Sequence, residues 1–157
     1  MNVTQSPTIK HTLQQLGNEL LALKDFVALL TSEQQALLNN DTDSLLNLSE
    51  SKTQAASQLM EMGSKRRAAL LGNSKETMET WIAEHAPALQ VQWNEIRKLA
   101  AQSQQLNSTN GELINSRMRN NQQALNVLYN SSKSAAGLYG PDGQANINSA
   151  GRHLGSV

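Results

Sequence analysis

The sequence predicts an all-α fold, an elongated antiparallel up-and-down helical bundle of three long helices and a short connector helix, followed by a flexible C-terminal tail. Only 38% of the 157 residues are apolar and 3% are aromatic, so leucine and alanine, which favour helices, must form most of the core. The apolar residues also recur in alternating steps of four and three, the spacing of helices that pack side by side.

The first helix is predicted to span residues 7–39. Ser6 can cap its N-terminus, and Pro7 suits a first helical turn because its missing N–H would have no partner there. Polar Gln34 interrupts an apolar seam that comprises Ile9, Leu13, Leu16, Leu20, Leu23, Val27, Leu30 and Leu37. Four more apolar residues widen this stripe, which favours a bundle over a two-stranded coiled coil: Leu21, Phe26, Leu29 and Leu38.

The second helix is predicted over residues 42–71, with Asp41 or Asp43 as its N-cap. The short link to the first helix predicts an antiparallel pair. Lys52 and Arg66 occupy two seam positions, where we expect the aliphatic stems to pack and the charges to reach solvent. Gly72 is expected to close the helix in a left-handed conformation. The apolar seam residues are Leu45, Leu48, Ala55, Leu59, Met62 and Ala69.

A connector helix is predicted over residues 75–85, with Ser74 as its cap and Pro87 at its end, and a last long helix over residues 88–132. The middle of the last helix is polar, since Asn110 and Arg117 lie on or beside its seam, and Gly111 weakens it further. Either a partner helix completes its packing, or the polar residues form layers that set the register of the bundle. The residues alone favour neither alternative.

The domain prediction is a helical bundle over residues 1–130 and a flexible tail over residues 131–157. The tail is rich in serine, glycine and asparagine and has too few apolar residues to pack alone. Within it, residues 138–143 form a short apolar and turn-forming cluster that is typical of a short linear motif.

No arrangement of residues predicts catalysis, a metal or a cofactor. The chain has no cysteine, and His11, His85 and His153 are scattered in sequence. The glycines follow no nucleotide-binding pattern. Trp81 and Trp93 could line a ligand pocket, although tryptophan at helical spacing is more often a core residue, which is the interpretation we favour. We therefore expect a binding protein and not an enzyme.

The charge balance and the apolar pattern bear on partners and location. Thirteen basic and thirteen acidic residues give no net charge, which argues against nucleic acid as a partner. The N-terminus lacks the features of a secretion signal, and no apolar stretch has the roughly 18 to 20 residues that cross a bilayer, so we expect a cytoplasmic protein without stable membrane insertion. The basic run at residues 65–67 is interpreted as a helix C-terminal charge cluster, not as a docking patch.

Three stretches of sequence together resemble one protein family. The first is the leucine-rich segment 16–38, which is common to many coiled coils. More specific are the pattern Leu-Asn-x-x-Asn-Gly-x-Leu-Ile at residues 106–114 and the pattern Leu-Tyr-Gly-x-x-Gly-Gln at residues 138–144, in that order near the C-terminus. With these patterns the chain resembles the FlgN family of flagellar export chaperones over nearly its whole length, whereas residues 145–157 match the family too loosely to be assigned a role.

The resemblance implies a bacterial cytoplasmic chaperone that binds the C-terminal amphipathic helices of hook-associated, or hook-filament junction, proteins. It would prevent their premature assembly and deliver them to the flagellar type III export gate. The tail after Ser131 would fold over the client, and Tyr139 would dock on the gate. By the same resemblance the client contacts are Leu113, Ile114, Met118, Leu125 and Leu128. A helical-bundle adaptor or scaffold with no secretion client is the alternative, and a homodimer of the free chain remains open.

Overall fold

A computed structural model describes residues 7–138 of the chain, with the side chains of residues 9–133. The elements in this range are α1 (Pro7–Asn39), α2 (Thr42–Leu70), α3 (Met78–His85), a 3-10 turn (Pro87–Leu89) and α4 (Gln90–Leu138). The all-α prediction, with three long helices and a short connector, is confirmed, and α1 has the predicted bounds. The predicted ends of α2, α3 and the start of α4 are each within three residues of the observed ones.

The helix caps explain where α2 and α3 begin. Of the two predicted N-caps of α2, Asp41 and Asp43, it is Asp41 that caps the helix. Its Oδ1 accepts a hydrogen bond from the backbone N–H of Ser44 at 3.1 Å. The side-chain hydrogen bond from Ser44 lowers the pKa of Asp41. The predicted cap of α3 was wrong: Thr77, not Ser74, accepts the N–H of Thr80, at 3.3 Å. Ser74 belongs to the preceding turn, and α3 therefore starts three residues later than predicted.

Two glycines are expected to respond oppositely to alanine substitution. Gly72 has a φ of 54°, the left-handed value predicted for it, whereas Gly111 lies inside α4 with open space where a Cβ would be. Gly72→Ala should lower the free energy of unfolding by about 1 kcal/mol, because a Cβ is disfavoured at positive φ. Gly111→Ala should raise it by roughly 0.5 to 1 kcal/mol through backbone entropy. Urea denaturation followed by circular dichroism measures both, and equal signs would contradict the assignment.

The last helix extends past its predicted end. It was expected to stop at residue 132, with the tail from residue 131, but α4 continues to Leu138. The serines at the predicted boundary do not compete with the helix, since Ser131 Oγ donates to the carbonyl of Leu128 and Ser132 Oγ to that of Tyr129, both at 2.8 Å. Lys133 and two alanines that follow are also compatible with a helix. The tail flexibility predicted for residues 139–157 lies outside the described residues.

The chain divides into two units, Met1–Ile114 and Asn115–Val157. Within the first unit, the α1–α2 hairpin and the α3 region pack with the first part of α4 around one apolar core. The predicted domain division at residue 130 stays a prediction. The buried members of this core are Leu16, Leu23, Leu71, Met78, Ile82, Ala86, Leu89, Trp93, Ile96 and Leu99.

Most of the α1 seam was predicted correctly. The leucines at one heptad position, residues 16, 23, 30 and 37, are all buried. At the other position Leu20 and Val27 are half-buried and pack against the core, as predicted, whereas Leu13 is exposed and Thr12, Glu19 and Glu33 are buried although the seam did not include them. The seam prediction counted only apolar residues, and it therefore missed carboxylates that are buried because a cation pairs with each of them.

The first such carboxylate lies in a layer that joins three helices. Arg66 of α2 donates from Nε and Nη2 to the two carboxylate oxygens of Glu19 in α1, at 2.8 and 3.0 Å. The guanidinium also lies over the ring of Trp93 in α4, 4.7 Å from its centroid. The side chains of Arg66 and Glu19 are only 13% and 8% exposed. The prediction that the Arg66 charge reaches solvent is therefore wrong, because the charge is paired inside the bundle.

A second polar layer also joins side chains from α1, α2 and α4. Lys52 of α2 donates to both carboxylate oxygens of Glu33 in α1, at 2.9 and 3.1 Å. Asn110 of α4 is fully buried and donates to Glu33 Oε2 at 2.7 Å and to the carbonyl of Leu30 at 2.9 Å. These two acceptors fix the orientation of the amide. The prediction that the Lys52 charge reaches solvent is therefore also wrong, because the ammonium group pairs with the Glu33 carboxylate.

The two ion pairs share one register. Glu19 and Glu33 are fourteen residues apart in α1, and Lys52 and Arg66 are fourteen residues apart in the antiparallel α2. Fourteen residues are two heptads, so both pairs lie at equivalent positions of the hairpin seam. Of the two alternatives left open for the polar residues of α4, Asn110 is thus explained by a polar layer inside the first unit, without a partner helix.

Candidate functional site

The part of α4 in the second unit carries exposed apolar side chains. Met118, Leu125 and Leu128, three of the predicted contact residues, are 65%, 63% and 64% exposed. Every side chain of residues 118–133 is exposed. Monomeric proteins rarely leave several large apolar side chains in water next to one another, which makes this part of α4 a candidate contact surface.

These residues share one face of the helix. Met118 and Leu125 are seven residues apart, and Leu128 and Tyr129 follow three and four residues later, which places all four on one side of an α-helix. Val127 is also exposed but lies on the opposite side. The exposed apolar face, defined here as Met118, Leu125, Leu128 and Tyr129, is therefore about three turns long and suits the stripe of an amphipathic helix.

The other predicted site residues lie in the first unit or outside the described residues. Leu113 and Ile114 belong to the first unit, where Leu113 is half-buried and Ile114 is 37% exposed. Tyr139, the predicted gate contact, lies outside the described residues, as do all tail residues after Leu138. The structure therefore groups three of the six predicted residues on one surface.

Sequence reasoning missed Tyr129 as a member of this face. The signal was available, since Tyr129 follows Leu125 by four residues and is thus its neighbour on a helix. The Nζ atom of Lys133 lies 4.9 Å from the centroid of the Tyr129 ring. Charged residues in residues 115–133 are basic throughout: Arg117, Arg119 and Lys133.

The polar groups near the two tryptophans support packing. Trp93 is buried in the core, as favoured, and its Nε1 donates to Glu79 Oε1 at 3.2 Å. Trp81 is half-buried and stacks on His85, with ring centroids 5.4 Å apart. The pKa of the Glu79 carboxyl is lowered, mainly because the carboxylate accepts a hydrogen bond from the backbone N–H of Glu79 itself. Burial opposes this shift, and the hydrogen bond from Trp93 and the charge of Arg97 add to it. Nothing in this arrangement places a base beside a nucleophile.

One group in the described part of the chain could approach a cation. A ligand atom from each of Glu76, Glu84 and His85 lies within 4.8 Å of the others. Glu84 and His85 are exposed, and the Nδ1 of His85 lies 3.1 Å from the carbonyl oxygen of Trp81, so only its Nε2 is available. Exposed acidic groups of this kind are common without an ion, and we assign no metal to it.

Comparison with known proteins gives one result. A protein-family model described as FlgN protein matches residues 1–147 of the chain. No curated protein and no solved structure matches it significantly. The family match includes both sequence patterns, at residues 106–114 and 138–144, and extends three residues beyond the second pattern. None of the helices within residues 7–138 combines the length and the apolar character needed to span a membrane.

Proposed function

The chain belongs to the FlgN family of flagellar export chaperones, and from that premise we propose that it binds the C-terminal amphipathic helices of hook-associated proteins and delivers these clients to the flagellar type III export gate. The observation that carries the proposal is the exposed apolar face of α4, at Met118, Leu125, Leu128 and Tyr129. A chaperone for helical segments needs an apolar surface that is free before the client arrives, and this face has the required spacing.

Client binding follows from the burial of two apolar stripes against each other. The terminal helix of an unassembled client exposes an apolar stripe that would otherwise self-associate, and covering it removes apolar area from water at roughly 25 cal/mol per Å². Met118, Leu125 and Leu128 supply the matching surface on α4. Leu113 and Ile114 extend the proposed contact toward the N-terminus of the same helix.

Release at the gate needs a second contact that the client does not occupy. We assign it to Tyr139, immediately after α4, on the basis of the resemblance and because an aromatic ring with a polar tip is a good anchor. Folding of the residues after Leu138 over the client would lower the net affinity through the entropy of ordering, which favours release.

The proposed setting follows from the clients. Hook-associated proteins are held before export, so the chaperone would act in the bacterial cytoplasm, without nucleic acid, metal or cofactor and without catalysis. A homodimer of the free chain would cover the same apolar face, and client binding would then compete with dimer dissociation.

Calorimetry with C-terminal fragments of hook-associated proteins tests the proposal. The full chain should bind the fragment with a measurable heat and a dissociation constant in the micromolar range or below, because an apolar contact the size of a helix is buried. A fragment from which the client's C-terminal helix has been removed serves as the control and should give no signal. If neither fragment binds, the adaptor or scaffold function without a secretion client replaces the chaperone function proposed for this chain.

A further inference from the structure

Three cations lie beside the exposed apolar face. Residues 113–141 contain no acidic residue, whereas the described part of this segment carries Arg117, Arg119 and Lys133. Arg119 and Lys133 are exposed, and Arg117 is half-buried. Within the described residues, none of the three forms an ion pair with a carboxylate. Their charges are therefore available to a binding partner, unlike those of the two ion pairs inside the bundle.

The cations border the exposed apolar face on both sides. Arg117 precedes Leu128 by eleven residues, which is about three helical turns, and thus shares its edge of the face. Lys133 follows Tyr129 by four residues at the other edge, and the contact of its Nζ with the ring, 4.9 Å from the centroid, holds the charge there. Arg119 precedes Lys133 by fourteen residues, about four turns, and lies on the same side.

These charges discriminate among helices that could cover the face. An apolar stripe of about three turns fits many amphipathic helices, so the apolar contact alone selects weakly. A helix packed on the stripe brings its own flanking side chains next to the cations, in the positions that form interhelical ion pairs in coiled coils. Glutamate or aspartate at these positions would pair with the cations, whereas lysine or arginine would be repelled.

Two other occupants match the face less well. A second copy presents the same cations beside the same stripe, so like charges would meet. An anionic membrane would attract the cations, but Asn121 lies between Met118 and Leu125 on the face. Burying its amide among lipid chains costs free energy, because no hydrogen-bond partner is present there. A partner helix with polar side chains can supply that hydrogen bond.

We propose that the client helix bound at the exposed apolar face is acidic, with carboxylates on both flanks of its apolar stripe. This assignment rests on the proposed function, because it describes the client of the same site. Arg117 would pair with one flank of the client, and Arg119 and Lys133 with the other. The cations span sixteen residues of α4, about 24 Å, so the matching client segment is a helix of about sixteen residues.

Two designed peptides of about sixteen residues test the charge preference on the full chain. Both carry leucines at heptad spacing, and the flanking positions are glutamate in one peptide and glutamine in the other. Fluorescence anisotropy at low salt should show about tenfold tighter binding of the glutamate peptide. In about 1 M salt the preference should fall below about twofold, because the Debye length is then only about 3 Å. Equal binding of the two peptides at low salt would overturn the proposal.

Two double variants with the same change in net charge identify the cations involved. Arg119→Gln with Lys133→Gln should reduce the preference for the glutamate peptide to less than about threefold. Lys65→Gln with Lys98→Gln removes two cations of the first unit that are 70% and 73% exposed, and should leave the preference at about tenfold. If both double variants had the same effect, the preference would not arise at this face.

Failure of the acidic client and failure of the proposed function give different results. The glutamine peptide reports the apolar contact alone, and Leu125→Asn with Leu128→Asn should abolish its binding. Fragments of hook-associated proteins that bind equally at low and high salt would overturn the acidic client and leave the chaperone function standing. A glutamate preference without binding of any such fragment would overturn the chaperone function and leave an acidic helix as the occupant.

The two other occupants are tested with the same variants. Phosphatidylglycerol vesicles should not bind the full chain. Vesicle binding that Leu125→Asn with Leu128→Asn abolishes would make a lipid surface the occupant and overturn the proposal. A dimer of the free chain that the glutamate peptide does not dissociate in sedimentation would overturn it as well, because a second copy would then occupy the face.

Discussion

Arg66→Met is expected to lower the free energy of unfolding by about 3 kcal/mol, because it leaves the Glu19 carboxylate buried without its cation. Arg66 makes two hydrogen bonds to that carboxylate and lies over Trp93, and methionine replaces none of these polar contacts. Chemical denaturation followed by circular dichroism measures the loss.

The neighbouring residue provides the matched control. Lys65 is 70% exposed and pairs with Glu61 on the surface of the same helix, so Lys65→Met should change stability by no more than about 0.5 kcal/mol. The double variant Glu19→Leu with Arg66→Met should recover most of the loss, since apolar pairs often replace buried ion pairs without cost. Equal effects of Arg66→Met and Lys65→Met would show that the layer contributes no more than a surface pair.

Leu125→Asn combined with Leu128→Asn is expected to weaken binding of a client C-terminal fragment by about a hundredfold. Each leucine that a partner covers contributes roughly 1.5 kcal/mol or more, and every 1.4 kcal/mol is a factor of ten in affinity. Both side chains are exposed in the free chain, so the substitutions should leave its stability almost unchanged. Calorimetry gives the affinity, and circular dichroism verifies that the helix is retained.

Val127→Asn is the control for this result. Val127 is 68% exposed and lies on the other side of α4, so it tests the same kind of substitution away from the exposed apolar face. Leu128→Asn alone should weaken binding by about tenfold, and Val127→Asn by less than about twofold. If the two single variants bound the client equally, the contact would not lie on this face.

The sequence was sufficient to predict the helices and the buried leucines at one heptad position of α1. The leucines of α1 recur every seven residues and have no competing interpretation, and the breaks at Asn40 and Gly72 have the positive φ values that stop a helix. The buried carboxylates of Glu19 and Glu33 could not be predicted from hydrophobicity, because these side chains are buried by pairing. Only the equal spacing of Glu19–Glu33 and Lys52–Arg66 signalled this arrangement.

The exposed apolar face could be predicted in part. Met118, Leu125 and Leu128 lie in a part of α4 whose other residues are mostly polar, so that no core forms around them. Their apolar spacing alone therefore predicts a contact surface. The role of Tyr139 stays a prediction.

The shared register of the two ion pairs restricts how the hairpin can align while the chain folds. Sliding α2 by one heptad would place Leu59 opposite Glu19 and Leu45 opposite Glu33, so two desolvated carboxylates would each lose a cation, at several kcal/mol apiece. A seam of leucine alone would tolerate that offset, because its repeats are interchangeable. The alternation of charged and apolar positions thus opens an energy gap between the native alignment and its nearest competitor, and the hairpin forms with a single stagger.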